Sequence, residues 1–274
     1  MLIKVLVENT AVSDSFPTEH GLSLYIEANG HKLLFDMGGG ELFAQNAKRL
    51  AVDIAHVDFA VLSHGHHDHG GGMETFLREN SKAPVYLHQR AMDRLYSTKP
   101  EGGVNEIGID ETLVHSGRLV FTADRYEISP GFDLFCNVTG REHFSRANKT
   151  LLMERDGEKV EDTFEHEQNL IVTEGSTVAL FAGCAHNGII NILKRMEEIG
   201  YRAPDFVFGG FHLFNPTHKK SEAPELINSV GEYLSNTPSV YYTGHCTGQE
   251  AYAQLQRMMG DRMRYMATGS VIKI

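Results

Sequence analysis

The segment His64-Gly65-His66-His67-Asp68-His69 crowds imidazoles and a carboxylate into a short stretch of chain. Nitrogen and oxygen donors of this kind suit zinc, iron or manganese, and their density gives room for two ions rather than one. The chemistry to expect is hydrolysis at a dinuclear centre. An apolar run, Phe59-Ala60-Val61-Leu62, reads as a buried strand leading into the segment, and Gly70-Gly71-Gly72 lets the chain turn before a helical pattern opens at Met73. The donors thus stand at a strand exit.

Three more histidines follow the same local logic. Val178-Ala179-Leu180-Phe181-Ala182 reads as a strand entering Gly183-Cys184-Ala185-His186, Phe206-Val207-Phe208 enters Gly209-Gly210-Phe211-His212, and Val240-Tyr241-Tyr242 enters Gly244-His245-Cys246. Strand ends are where side chains from distant segments can converge on a rigid support. Ile189, Ile190, Leu193, Met196 and Ile199 recur at helical spacing after the first of these turns. Earlier, Leu22–Glu27 and Lys32–Phe35 flank Asn29-Gly30 as a hairpin, and Phe43–Leu50 reads as a short helix. The stretch 86–149 is less regular and is expected to be insert and loop between two halves. No linker divides the chain, so a single domain over 1–274 is expected.

Composition narrows the partners. The 274 residues carry 36 acidic and 25 basic side chains, a net charge of −11, which argues against binding nucleic acid through its phosphates. An anionic small molecule would have to be held locally. No apolar run is long enough to span a bilayer, and Met1–Glu8 resembles a first strand more than a signal peptide, so no membrane contact and a cytoplasmic location are expected. The three cysteines, Cys136, Cys184 and Cys246, show no Cys-x-x-Cys spacing; a reducing compartment and ordinary packing suit them. A homo-oligomer is compatible with all of this.

The His-x-His-x-Asp-His signature resembles that of the metallo-β-lactamase superfamily. The resemblance implies an α+β, four-layer αββα sandwich with His64, His66 and His186 on one ion and Asp68, His69 and His245 on the other, zinc being the first choice of metal. Asp68 then also belongs to the catalytic centre, and His67 falls at a variable, solvent-facing position. Asp36, in Leu34-Phe35-Asp36-Met37-Gly38, matches an aspartate that supports the metal loop by fixing a ligating imidazole; its plain alternative is to stabilise its own turn. Most dinuclear members carry a bridging aspartate after the penultimate strand, whereas this chain has Gly209-Gly210-Phe211-His212 there. His212 is a candidate ligand, general acid or substrate contact, or a histidine held by hydrogen bonds behind the site.

A longer series of matches, from Glu19-His20-Gly21 through Gly183–Ile189 and Gly209–Leu213 to Thr243–Gly248, resembles the branch named for a tetrahydromethanopterin-pathway synthase. That branch implies a metal-dependent hydrolase or transferase acting on a phosphate-containing substrate. Arg141 and Arg146, with Lys149, are candidates to gather a phosphate, and Phe211 to stack on a flat heterocycle. Phosphodiester, lactone or thioester hydrolysis are alternatives. A non-hydrolytic iron-binding redox or sensor module is an alternative of another class, although redox members usually replace the second signature histidine by glutamate and His66 is histidine.

Overall fold

The Asn29-Gly30 turn has positive φ at both residues, 49° and 76°, which is the backbone a two-residue hairpin connection needs. It joins the strands Ser23–Ala28 and His31–Phe35 in antiparallel register, with Ala28 opposite His31. The structure, a computed structural model, describes residues 1–274. Leu2–Val7 pairs antiparallel with Ser23–Ala28, and Val271–Lys273 closes the edge beyond it. On the other side of the hairpin the pairing turns parallel, through Phe59–Val61 and Val85–His88 to Leu119–Thr122.

A second seven-stranded sheet repeats this plan in the later part of the chain. Thr177–Phe181, Phe206–Phe208, Val240–Thr243 and Met263–Tyr265 run parallel, while Asn169–Glu174, Phe132–Phe135 and Arg125–Ser129 extend the sheet antiparallel. Successive side chains on a strand face opposite ways, and here both faces are buried. Leu33 and Phe35 meet Phe181 and Phe208 between the sheets, whereas Leu34 packs in one cluster with residues of helices α1 (Leu42–Arg49) and α3 (Met73–Glu79), between which in the chain lies the short helix α2 (His67–Gly70). Leu180 likewise faces α4 (Ile189–Glu198), α5 (Pro224–Ser235) and α6 (Gln249–Met259). The result is the four-layer αββα sandwich.

Parallel pairing has a direct consequence for function, because it brings the carboxyl ends of neighbouring strands to one edge. Phe181, Phe208 and Tyr242 stack across three such strands with ring centroids 4.9 and 4.8 Å apart. Stacked aromatic pairs contribute about 0.5–1.5 kcal/mol each beyond their burial. They stiffen the platform from which the turns bearing His186, His212 and His245 project.

The expectation that 86–149 is insert and loop is corrected. Val85–His88 and Leu119–Thr122 belong to the first sheet, and Arg125–Ser129 and Phe132–Phe135 to the second. Only Leu95–Thr98 and Val104–Glu106 stand apart, forming a four-stranded sheet with Leu151–Arg155 and Glu158–Glu161. Strands of three to five residues are too short for their alternation to stand out from loop sequence. No helix is long and apolar enough to cross a membrane.

Candidate metal centre

Asp36 stands where the His31–Phe35 strand ends, in a left-handed backbone with φ of 60°. Its carboxylate is fully buried and accepts from the Ser63 N–H, the Ser63 hydroxyl and His69 Nδ1, each at 2.7 Å. An imidazole that donates from Nδ1 to a carboxylate presents its Nε2 lone pair on the other side. Asp36 therefore anchors the loop and orients His69, in addition to shaping its own turn. Gly21 lets the chain pass close by: a Cβ there would lie 2.5 Å from the Asp68 carbonyl oxygen.

Two groups of donors face each other at the floor of a cavity. In the first, the ligand atoms of His64, His66 and His186 lie within 4.8 Å of one another, and all three Nε2 atoms are buried without a hydrogen-bond partner. The opposite nitrogens of two of these rings are occupied, His64 Nδ1 by the Ser63 hydroxyl at 2.8 Å and His186 Nδ1 by Asn148 Oδ1 at 3.1 Å. In the second group His69 Nε2 is 3.2 Å from His245 Nε2, while Asp68 Oδ2 lies 3.3 Å from His245 and 3.7 Å from His69. Donors about 2.1 Å from a tetrahedral ion are separated by roughly 3.4 Å. Buried, unpartnered nitrogens at such spacing fit a metal ion better than they fit an apolar or hydrogen-bonded core.

Burial resists charge on the first group, holding His64 and His186 well below the usual imidazole range and His66 down at about 3. Burial also opposes charge on His69, but the carboxylates of Asp36 and Asp68 overcome it and push His69 up to about 9. For stability without metal the signs differ. Histidines with lowered folded pKa take up protons on unfolding, so stability is lost as pH falls below about 6.5. His69 contributes stability below that pH and loses it as pH rises through about 9. The metal-free protein is thus expected to unfold at lower urea concentration at pH 5 than at pH 7; equal midpoints would show that the three histidines are already charged in the fold.

Long-range partners that the sequence reading missed hold the remaining turns. Glu167 is buried and accepts from the His186 N–H at 2.6 Å, the Asn187 N–H at 3.0 Å and the Asn187 side-chain amide at 2.8 Å. Gln168 spans the two sheets, its N–H reaching the Ser63 carbonyl and its side-chain amide the Leu62 carbonyl, both at 2.8 Å. Glu8 accepts from the His245 N–H at 2.6 Å, and Asn9 Oδ1 from His245 Nδ1 at 3.0 Å. The one available signal was His166-Glu167-Gln168-Asn169, four polar residues that abut the apolar strand run Leu170-Ile171-Val172 and are all buried.

The cavity has a volume of about 320 Å³ and is lined by His66, Asp68, His186, His212 and His245 together with Ile107, Leu151 and Pro216. His212 is buried, has φ of 47°, lies 4.1 Å ring to ring from His186, and neither of its ring nitrogens has a partner. It is not a histidine tied down by hydrogen bonds behind the site. His67 is exposed at the mouth, as its position suggested.

Other candidates lie elsewhere. The Arg141 guanidinium donates to the carbonyls of Val138 and Gly140 and rests 5.1 Å over Phe144, outside the cavity. Arg146 is exposed on the turn Arg146–Thr150, of which Ala147 and Thr150 face the cavity. Phe211 packs in the hydrophobic core near Tyr241, because it neighbours His212 along the chain but points the other way. No lysine or arginine lines the cavity. Cys184 is buried, as a packing role requires, and its Sγ also lies 3.1 Å from His69 Nε2, among the donors.

Residues 17–245 match the family model of the Metallo-beta-lactamase superfamily. The chain belongs to that superfamily. Over 99% of its length it is 28% identical to the 7,8-dihydropterin-6-methyl-4-(beta-D-ribofuranosyl)-aminobenzene-5'-phosphate synthase of Methanocaldococcus jannaschii, covering 96% of that protein. An uncharacterized protein of the same organism is 29% identical with full coverage of both chains. Among solved structures, a metal-dependent hydrolase of the beta-lactamase superfamily superposes with a TM-score of 0.82 at 28% identity, covering 100% of this chain and 99% of that one. The fold and the match to an enzyme mark this protein as an enzyme.

Proposed function

We propose that the protein is a metal-dependent hydrolase or transferase of a small, anionic, phosphate-containing substrate. His64, His66 and His186 hold one divalent ion and Asp68, His69 and His245 a second, with zinc the first choice and iron or manganese the alternatives. The observation that carries this reading is the set of three buried, unpartnered Nε2 atoms beside the closely spaced Asp68–His69–His245 group. Divalent ions held there supply Lewis acidity to a bound phosphoryl or carbonyl oxygen and lower the pKa of water.

The chain's own residues do the rest. Asp36, Ser63 and Asn148 fix the imidazoles so that donor atoms need no reordering. Ile107, Leu151 and Pro216 narrow the cavity and limit bulk water. His212, with both ring nitrogens free, is placed to pass a proton to a leaving oxygen. Since no lysine or arginine lines the cavity, an anionic substrate group would have the metal ions as its main counter-charge. The product named for the Methanocaldococcus jannaschii relative is a 5'-phosphate, which supports a phosphate-bearing substrate.

Turnover should therefore be found with an aryl phosphodiester, or with a dihydropterin diphosphate and an aminobenzene riboside phosphate together. Activity on lactones or thioesters alone would remove the phosphate reading. Product analysis of the two-substrate reaction separates transfer from hydrolysis. His212→Ala should lower turnover by roughly 10²–10⁴-fold, the usual contribution of a positioned acid or base. Because the ring makes no hydrogen bond, folding stability should change little; an unaltered rate would exclude His212 from the chemistry.

A further inference from the structure

Cys184 occupies the space between the two donor groups. Its Sγ lies within 4.8 Å of the ligand atoms of His64 and His186 on one side, and of His69 and His245 on the other. The approach to His69 Nε2 is 3.1 Å, and the cysteine is almost wholly buried. The neighbouring turn Gly209–His212 brings no carboxylate to this space. Asp68 is then the one anionic side chain among the six proposed ligands, facing two divalent ions.

The backbone aims this side chain. Ala185 adopts a left-handed φ of 53°, and Glu167 grips the next two N–H groups, of His186 and Asn187. Before it, Gly183 packs so closely that a Cβ would lie 2.1 Å from the Ser63 hydroxyl, and the Gly183 carbonyl accepts from the Gly210 N–H at 2.8 Å. Both ends of the turn are held. Cys246 is placed differently: its Sγ accepts from the His212 N–H at 3.3 Å, donates to the Cys184 carbonyl at 3.5 Å, and lies near His245 and the Cys184 sulfur.

We propose that Cys184 is a metal ligand, and that its thiolate bridges the two ions. The proposal rests on the two-ion reading above. Binding replaces the S–H bond by two metal–sulfur bonds and releases the proton to solvent. A bridging sulfur adds the missing negative charge, ties the ions together, and favours zinc, cobalt or iron over magnesium and manganese, which prefer oxygen.

Two measurements test it on the intact protein. X-ray absorption on the zinc-loaded wild type should show a zinc–sulfur distance of about 2.3 Å at about one sulfur per zinc, because one thiolate is counted by both ions. About half a sulfur per zinc would mean a terminal ligand, and none would mean no ligand; either overturns the bridge. The cobalt-loaded protein should show a thiolate-to-cobalt charge-transfer band and two ions per chain. Cys184→Ala should abolish the band and drop the content towards one ion, Cys184→Asp should restore the second ion without the band, and Cys246→Ala should keep the band. A band that survives Cys184→Ala overturns the proposal. Fewer than two ions in the wild type would instead sink the reading on which it rests, so the two failures are distinguishable.

Discussion

Replacing His186 by alanine should strip the first group of one of its three nitrogens and reduce the metal content by about one ion. Turnover should fall by roughly 10³-fold or more, since an ion acting as a Lewis acid supplies several kcal/mol of barrier lowering. The fold should survive. Asn148 keeps its side-chain hydrogen bond to the carbonyl of residue 186 at 2.7 Å, and Glu167 keeps the N–H groups of residues 186 and 187. Elemental analysis and a rate measurement on the same preparation check this. Full metal content with a rate within a few-fold of wild type would remove His186 from the centre.

Asp36→Ala should have the largest effect on the fold itself. The side chain is buried and serves Ser63 twice and His69 once, each at 2.7 Å. Removing one partner from a buried, hydrogen-bonded charged group costs about 3–5 kcal/mol, because the groups left behind are desolvated and unpaired. A second consequence is loss of metal affinity, for which removal of an orienting partner typically costs about 10–100-fold. Asp36→Asn retains one acceptor oxygen and should fall between wild type and alanine. Urea unfolding of the three proteins measures the first effect and metal titration the second. An alanine variant as stable as wild type would show that the Asp36 carboxylate is a local turn device only.

These two residues were visible in the sequence for different reasons. His186 stood after an apolar strand and a glycine turn, and parallel pairing of Thr177–Phe181 with Phe206–Phe208 then brought its turn to the same edge as His212. Asp36 stood at the end of a strand whose alternation is plain. Each is a local pattern with a long-range consequence. Glu167 and Glu8 were not legible, because they act on backbone N–H groups 19 and 237 residues away and nothing in their own neighbourhoods says so.

The misplaced candidates show the converse problem. Arg141 and Arg146 attracted notice as local positive charge, yet charge along a chain does not say which way a side chain leaves it. Arg141 turns back onto the Val138 and Gly140 carbonyls, and Arg146 faces solvent. Phe211 and His212 are adjacent, and so face opposite sides of their turn, one into the core and one into the cavity. Cys184 was read as ordinary packing because cysteine spacing along the chain carries no metal signature. What places its sulfur is the packing of Gly183 against Ser63, a contact between the two sheets' loops.

The central claim is that six side chains from three strand-end turns hold a pair of ions. The most direct test is elemental mass spectrometry of the untagged protein, purified without chelator and without oxygen, with protein concentration from amino-acid analysis. About two equivalents of zinc, iron or manganese per chain is the predicted result. One equivalent or none, after metal reconstitution, would contradict it.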